Sequence, residues 1–333
     1  SEMKKLLVLL VVLAMVAITS PLYAGDNVTV GGEFFYLKDS ANVDGTFAKA
    51  ELNISSMVGD YNTVKLELDS EGGDWADNVA VDDFRLQTDI FGALGLDLPV
   101  TLNTTIGFFD TYFTGWKYVS YSGWDFYYGD WTISGNSLGP VDLGAMQADI
   151  GIGPVTISYA SDMEFQTLRF GVSGGFGPVG FYASFGAPSS AIGNGAINAM
   201  ADYSGSFGDL SLYVPVHFGY NLDGGGLWLG GGVAVDYTSL VHFAVGFDYA
   251  TDSTKMVADL FSNPIADLGI GVSAYMDFAA TDVFSGLDAY VNYMFGASKF
   301  QVGYAYAPEG EVVPVVADTT GANGLYLAVD IDF

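Results

Sequence analysis

The 333-residue chain contains no cysteine, two histidines and only ten lysines and arginines, and each scarcity excludes something. Without cysteine, an exported fold must hold together without disulfides, and thiolate metal centres and cysteine nucleophiles are ruled out. Against the ten basic residues stand 39 acidic ones, for a formal net charge of -29. A nucleic-acid binder needs a basic footprint, and so does a peripheral protein on an anionic bilayer; neither fits. Long apolar runs are missing too. Nowhere after Ala24 does one approach the ~18 residues of a membrane helix.

The one apolar run that does occur lies at the start. Met3, Lys4 and Lys5 precede an unbroken apolar stretch from Leu6 to Ile18, which Thr19, Ser20 and Pro21 break before Leu22-Tyr23-Ala24. This is the pattern of a secretory signal peptide, residues 1–24 including two extra residues ahead of the methionine, cut after Ala24. The remaining 25–333 are expected to form one domain, carrying 38 acidic and eight basic residues.

Half of the chain is hydrophobic, 15% is aromatic and mean hydropathy is +0.33, high for a secreted protein lacking long apolar runs. The apolar residues are instead distributed with period two. Leu325, Leu327, Val329, Ile331 and Phe333 alternate with Tyr326, Ala328, Asp330 and Asp332. The same alternation recurs in Phe300 to Tyr306, Leu287 to Phe295, Leu268 to Phe278, Val241 to Tyr249 and Leu210 to Tyr220. Many segments of about ten residues with one apolar face are the signature of an all-β, antiparallel transmembrane β-barrel, the one alternative to helices that satisfies every backbone group in lipid. A soluble sandwich would need more polar outer faces, and this many strands would split into domains.

Tight turns rich in Gly, Pro, Asp and Asn are expected near Gly59, Gly92 to Pro99, Gly151 to Pro154, Gly175 to Pro178, Gly208, Thr238, Asn263 to Asp267 and Gly296. They read as periplasmic turns, and the longer polar stretches between them as extracellular loops. Eight turns and nine loops connect about 18 strands, with 16 or 20 left open. After the fifth strand, residues 111–140 break the rhythm with ten aromatics. They are expected to fold into the lumen as a long loop, the alternative being an extra hairpin from Tyr118 to Ser122 and Trp124 to Ser134. About 18 tilted strands enclose a backbone diameter of ~36 Å, too wide for side chains to fill.

By phase, Lys49 and Glu51, then Lys65 and Glu67, then Asp83 and Arg85 face inward from three neighbouring strands. Asp110, Asp125 and Asp130 stand in or beside the long connection. Two arrangements are open for these groups: a charged constriction, or ion pairs along one wet wall. No catalytic site is expected. A nucleophilic site would need His217 or His242, which read as pore lining with Asp248 near the second, and no metal-ligand spacing or cofactor motif appears.

From Leu325 to Phe333, and in its strand rhythm throughout, the chain resembles bacterial outer-membrane porins. That resemblance implies residence in the cell outer membrane and recognition of the terminal Phe333 by the outer-membrane assembly machinery. It also implies a basic wall facing an acidic inward loop, and a homotrimer in many members. The function expected is a passive diffusion channel for small hydrophilic solutes and ions, cations preferred, in contact with outer-membrane lipid and no nucleic acid. The alternative is a structural or adhesive barrel without an open channel.

Overall fold

The computed structural model describes residues 28–39, 46–71, 80–109, 145–162, 164–188, 195–222, 224–238, 240–250, 253–279, 283–308, 313–316, 319–321 and 323–332. In chain order the elements are β1 (Val28–Asp39), β2 (Thr46–Met57), β3 (Asn62–Glu71), β4 (Ala80–Asp89), the single-turn α1 (Ile90–Ala93), β5 (Val100–Phe108) and β6 (Ala145–Ile152). There follow β7 (Val155–Asp162), β8 (Thr167–Phe176), β9 (Val179–Pro188), β10 (Ala196–Phe207), β11 (Leu210–Asn221), β12 (Leu227–Tyr237) and β13 (Val241–Ala250). The chain ends with β14 (Ser253–Ile265), β15 (Leu268–Asp277), β16 (Phe284–Phe295), β17 (Ser298–Tyr306), β18 (Val313–Val316), β19 (Thr319–Gly321) and β20 (Gly324–Asp332).

Eighteen of these strands, β1 to β17 and β20, form one antiparallel sheet in which each strand pairs with its sequence neighbours. The sheet closes where β1 meets β20, in register from Glu33↔Asp332 to Asp39↔Tyr326. Closure leaves no free edge, so each of these eighteen strands finds backbone partners on both sides. The short hairpin β18–β19 stands apart from the sheet, inside the connection from β17 to β20.

The turns have the chemistry that tight hairpins demand. Five are two-residue connections, bounded by the pairs Ile152↔Val155, Phe176↔Val179, Phe207↔Leu210, Ile265↔Leu268 and Phe295↔Ser298. In four of them the first turn residue is a glycine at positive φ: Gly153, Gly177, Gly208 and Gly296. A turn opening with φ > 0 matches the twist of the flanking strands, and proline fits the next position, as Pro154 and Pro178 do here. All eight expected turns lie between the strands that they were expected to join, so the expected 18 strands are observed. The expected inward loop, 111–140, and the expected leader, 1–24, lie outside the described residues, as does Phe333.

Burial is inverted relative to a water-soluble protein. Phe295 is 72% exposed, Phe176 and Phe207 are each 60% exposed, and the outward phases of the strands carry dozens of exposed Val, Leu, Ile, Phe and Tyr side chains. Asp288, Gln301 and Asn292, on the inward phase, are buried. An apolar exterior of this extent would be driven to aggregate in water and is stable against hydrocarbon. Phe176, Phe207, Tyr237 and Phe295 each end a strand at a turn, facing out, which places an aromatic belt at the turn-side rim.

Candidate functional site: the inner wall of the barrel

The inner wall has two sectors of different character. Along β14 to β17 and β20 the inward side chains pack on one another. Asp259, Ser273 and Asp288 stand on one rung of β14, β15 and β16, and the Ser273 hydroxyl bonds the Asp259 carboxyl. On the next rung toward the turns, two glycines make room for tyrosines lying flat across the neighbouring strand. A Cβ at Gly271 would stand 2.1 Å from the ring of Tyr290, and one at Gly303 would stand 2.2 Å from the ring of Tyr326. Laid over Gly303, Tyr326 donates its hydroxyl proton toward both carboxyl oxygens of Asp288, at 3.0 Å each, and accepts from Gln301 Nε2 at 2.8 Å. Asp288, Gln301 and Tyr326 are at most 3% exposed, so this side of the lumen is lined by a closed polar network.

From β2 to β6 the inward face is more open. Lys65 and Arg85 oppose each other across β3 and β4, and one rung away Glu67 opposes Asp83. Like charges thus share a rung and opposite charges sit side by side along each strand. Lys65 Nζ lies 2.7 Å from Glu67 Oε2 and 3.5 Å from Asp83 Oδ2, while Arg85 Nη1 lies 3.3 Å from Asp83 Oδ2. Asp83 is therefore shared by both cations, and the four groups sum to zero charge. Side-chain exposures of 29% for Lys65 and 25% for Arg85 keep the network in reach of water, so each bridge stabilises by no more than ~1 kcal/mol. Toward the turns the wall opens further, with Gln87, Thr101 and Asn103 exposed on the inward phase. Beside them Asp149 on β6 is held by Gln147 and Ser158.

Of the residues expected to line the pore, Glu51, Lys65, Glu67, Asp83 and Arg85 are brought together on β2, β3 and β4. Glu51 accepts a hydrogen bond from Asn53 Nδ2, two residues along its strand. The backbone of Lys49 pairs with that of Glu71, on the same phase. Asp110, Asp125 and Asp130 lie outside the described residues. His242 is paired through Nδ1 with Asp236 Oδ1 at 2.6 Å, its cross-strand neighbour on β12. The carboxylate expected near it, Asp248, instead has its backbone opposite Lys255. His217 stands on another rung, facing Met200 and Gly230 across its two neighbours. Among the described residues no three or more His, Asp or Glu side chains converge to hold a metal ion. Phase alone did not single out Gln147, Asp149 and Ser158, because their significance lies in their mutual bonds.

No family model and no curated protein matches the sequence. Solved structures do match the fold. A substituted form of the Rhodopseudomonas blastica porin superimposes with a TM-score of 0.58 at 12% identity, covering 92% of this chain and 100% of that one. A triple mutant of the same porin gives 0.56 at 11% identity, with the same coverage of both chains. An engineered protein described for asymmetric conductivity gives 0.52 at 13% identity, again over 92% of this chain and 100% of its own. At such identities the likeness is one of architecture, and it extends over nearly the whole chain: the protein folds as a porin-like closed barrel.

Proposed function

We propose that this protein is an outer-membrane diffusion channel, passing small hydrophilic solutes and ions passively and favouring cations. The observation that carries the proposal is the pairing of an apolar, hydrocarbon-suited exterior with an inner wall that is polar and water-exposed along β2 to β6. A closed sheet of 18 strands is ~110 Å around, which leaves more interior than one packed sector occupies. The fold neighbours named as porins, and the one described for conductivity, support the same reading. In this reading residues 1–24 are the export leader and Phe333 addresses the chain to the assembly machinery. The barrel sits in outer-membrane lipid as a homotrimer, with transport and not catalysis as its activity. Glu51, Lys65, Glu67, Asp83 and Arg85, with Lys49, Asp110, Asp125 and Asp130, line the route.

A second reading, a structural or adhesive barrel without an open channel, is favoured by the packed sector from β14 to β20. Planar-bilayer recording separates the two. Purified, refolded protein should give discrete conductance steps and, under a potassium chloride gradient, a reversal potential of the sign for cations. Folded protein that inserts and gives no steps would establish the closed barrel instead.

A further inference from the structure

Five inward carboxylates illustrate three different physical situations. Glu67 and Asp83 are neutralised by Lys65 and Arg85. Asp259 and Asp288 are 3% and 1% exposed within the packed sector, where a hydrated ion in the lumen does not touch them. Asp149 belongs to neither group. It faces inward, since the opposite phase of β6 carries the exposed Ile150 and Ile152, and it is half-buried on the more open side of the wall. Its carboxylate is fixed from two sides. Gln147 Nε2 lies 3.0 Å from Oδ1 and 2.9 Å from Oδ2, and Ser158 Oγ, reaching across from β7, donates to Oδ1 at 2.6 Å.

Both donors are neutral. They set the position of the carboxylate and leave its charge uncompensated, and among the described residues Asp149 forms no ion pair. Its rung continues through the exposed Asn103 to Asp89, so a second inward carboxylate lies two strands away, ~10 Å along the rung. Asp89 Oδ1 accepts from the backbone of Gly92 at the start of α1, at 3.0 Å, which fixes it as well. The turn-side reach of the lumen therefore holds fixed negative charge where the wall is wet, and the charge-balanced network of β3 and β4 lies on rungs farther from the turns.

We propose that Asp149 is a specificity-determining residue of the channel, drawing cations and turning anions away, while the Lys65, Glu67, Asp83 and Arg85 network contributes little to ion preference. The inference rests on the channel reading above. An ion passing ~7 Å from one unit charge in water at 0.1 M salt changes its local concentration by ~1.6-fold, upward for a cation and downward for an anion. The cation-to-anion permeability ratio then owes about a threefold factor to Asp149 at 0.1 M salt. At 1 M, where the screening length is ~3 Å, that factor shrinks toward one.

The test is reversal potential in planar bilayers for the full chain and three variants. Asp149→Asn should lower the ratio about threefold at 0.1 M and hardly at 1 M. The pair Lys65→Gln with Glu67→Gln removes one charge of each sign from the pore wall and tests the second half of the proposal: a ratio nearly unchanged supports it, and a fall as large as that in Asp149→Asn overturns it. Because the chain has no cysteine, Asp149→Cys supplies a unique thiol and makes the comparison within one folded protein. Labelling it with a sulfonate-bearing thiosulfonate should restore cation preference, and labelling it with a trimethylammonium one should lower it further. A cation-preferring wild type whose ratio stays the same in Asp149→Asn, and in Asp149→Cys before and after labelling, would overturn the role of Asp149 while leaving the channel intact. A wild type that inserts without conducting would overturn the channel reading itself.

Discussion

Replacing Gly303 by alanine should destabilise the barrel far more than one methyl group ordinarily does. The added Cβ would stand 2.2 Å from Tyr326 Cζ and 2.3 Å from its hydroxyl, well inside contact distance. The ring must therefore lift off β17, and its hydroxyl then leaves Asp288 and Gln301, both of which are fully buried. Overpacking costs ~1–3 kcal/mol, and orphaning the buried acceptor costs ~1–3 kcal/mol more. The expected loss is about 2–6 kcal/mol. The assay is urea unfolding in lipid vesicles, followed by fluorescence of the five tryptophans. Gly226→Ala serves as the control, since a Cβ there would meet only Asn221 Cβ at 3.8 Å. Tyr326→Phe completes a double-mutant cycle. Alone it should cost ~1–3 kcal/mol by removing the hydroxyl, but in the Gly303→Ala background almost nothing, because the hydroxyl has already been displaced. Strict additivity, or a Gly303→Ala loss below about 0.5 kcal/mol, would refute the idea that the glycine holds the tyrosine in place.

Two further outcomes probe the exterior and the turns. Val302 is 54% exposed in the middle of β17, so Val302→Arg would be harmless in a water-soluble protein; facing hydrocarbon, it should cost ~2–4 kcal/mol in the same unfolding assay, and no measurable cost would argue against a lipid-facing wall. Gly296 turns the β16–β17 hairpin at a φ of +63°, and Gly296→Val should cost ~1–3 kcal/mol through backbone strain, although a Cβ there would meet nothing within 4 Å; an unchanged midpoint would mean that the turn relaxes to another form.

Strand phase and turn chemistry were legible from residues close together in the chain. Alternation from Leu325 to Phe333 distinguishes the two faces of one strand without any partner, and Gly-Pro or Gly-Asp pairs mark hairpins because only local dihedral freedom is at issue. Whether an inward side chain is wet or packed is decided across strands. Tyr290 lies over Gly271 and Tyr326 over Gly303 only because the pairings Gly271↔Tyr290 and Gly303↔Tyr326 put them side by side, and a slip of one residue would have undone both. The charged wall obeys the same logic. Its phase places Lys65, Glu67, Asp83 and Arg85 inside, but Lys65 reaches Asp83 only because Lys65↔Arg85 and Glu67↔Asp83 are the registered pairs. A bulge follows at once, between Glu67 and Leu68 on β3, where the register shifts by one residue on β4. Phase therefore assigns the four charges to the lumen, whereas register cancels them there. Asp149 stands outside that cancellation: its two donors come from its own strand and the next one, and its nearest carboxylate along the rung caps a helix turn two strands away.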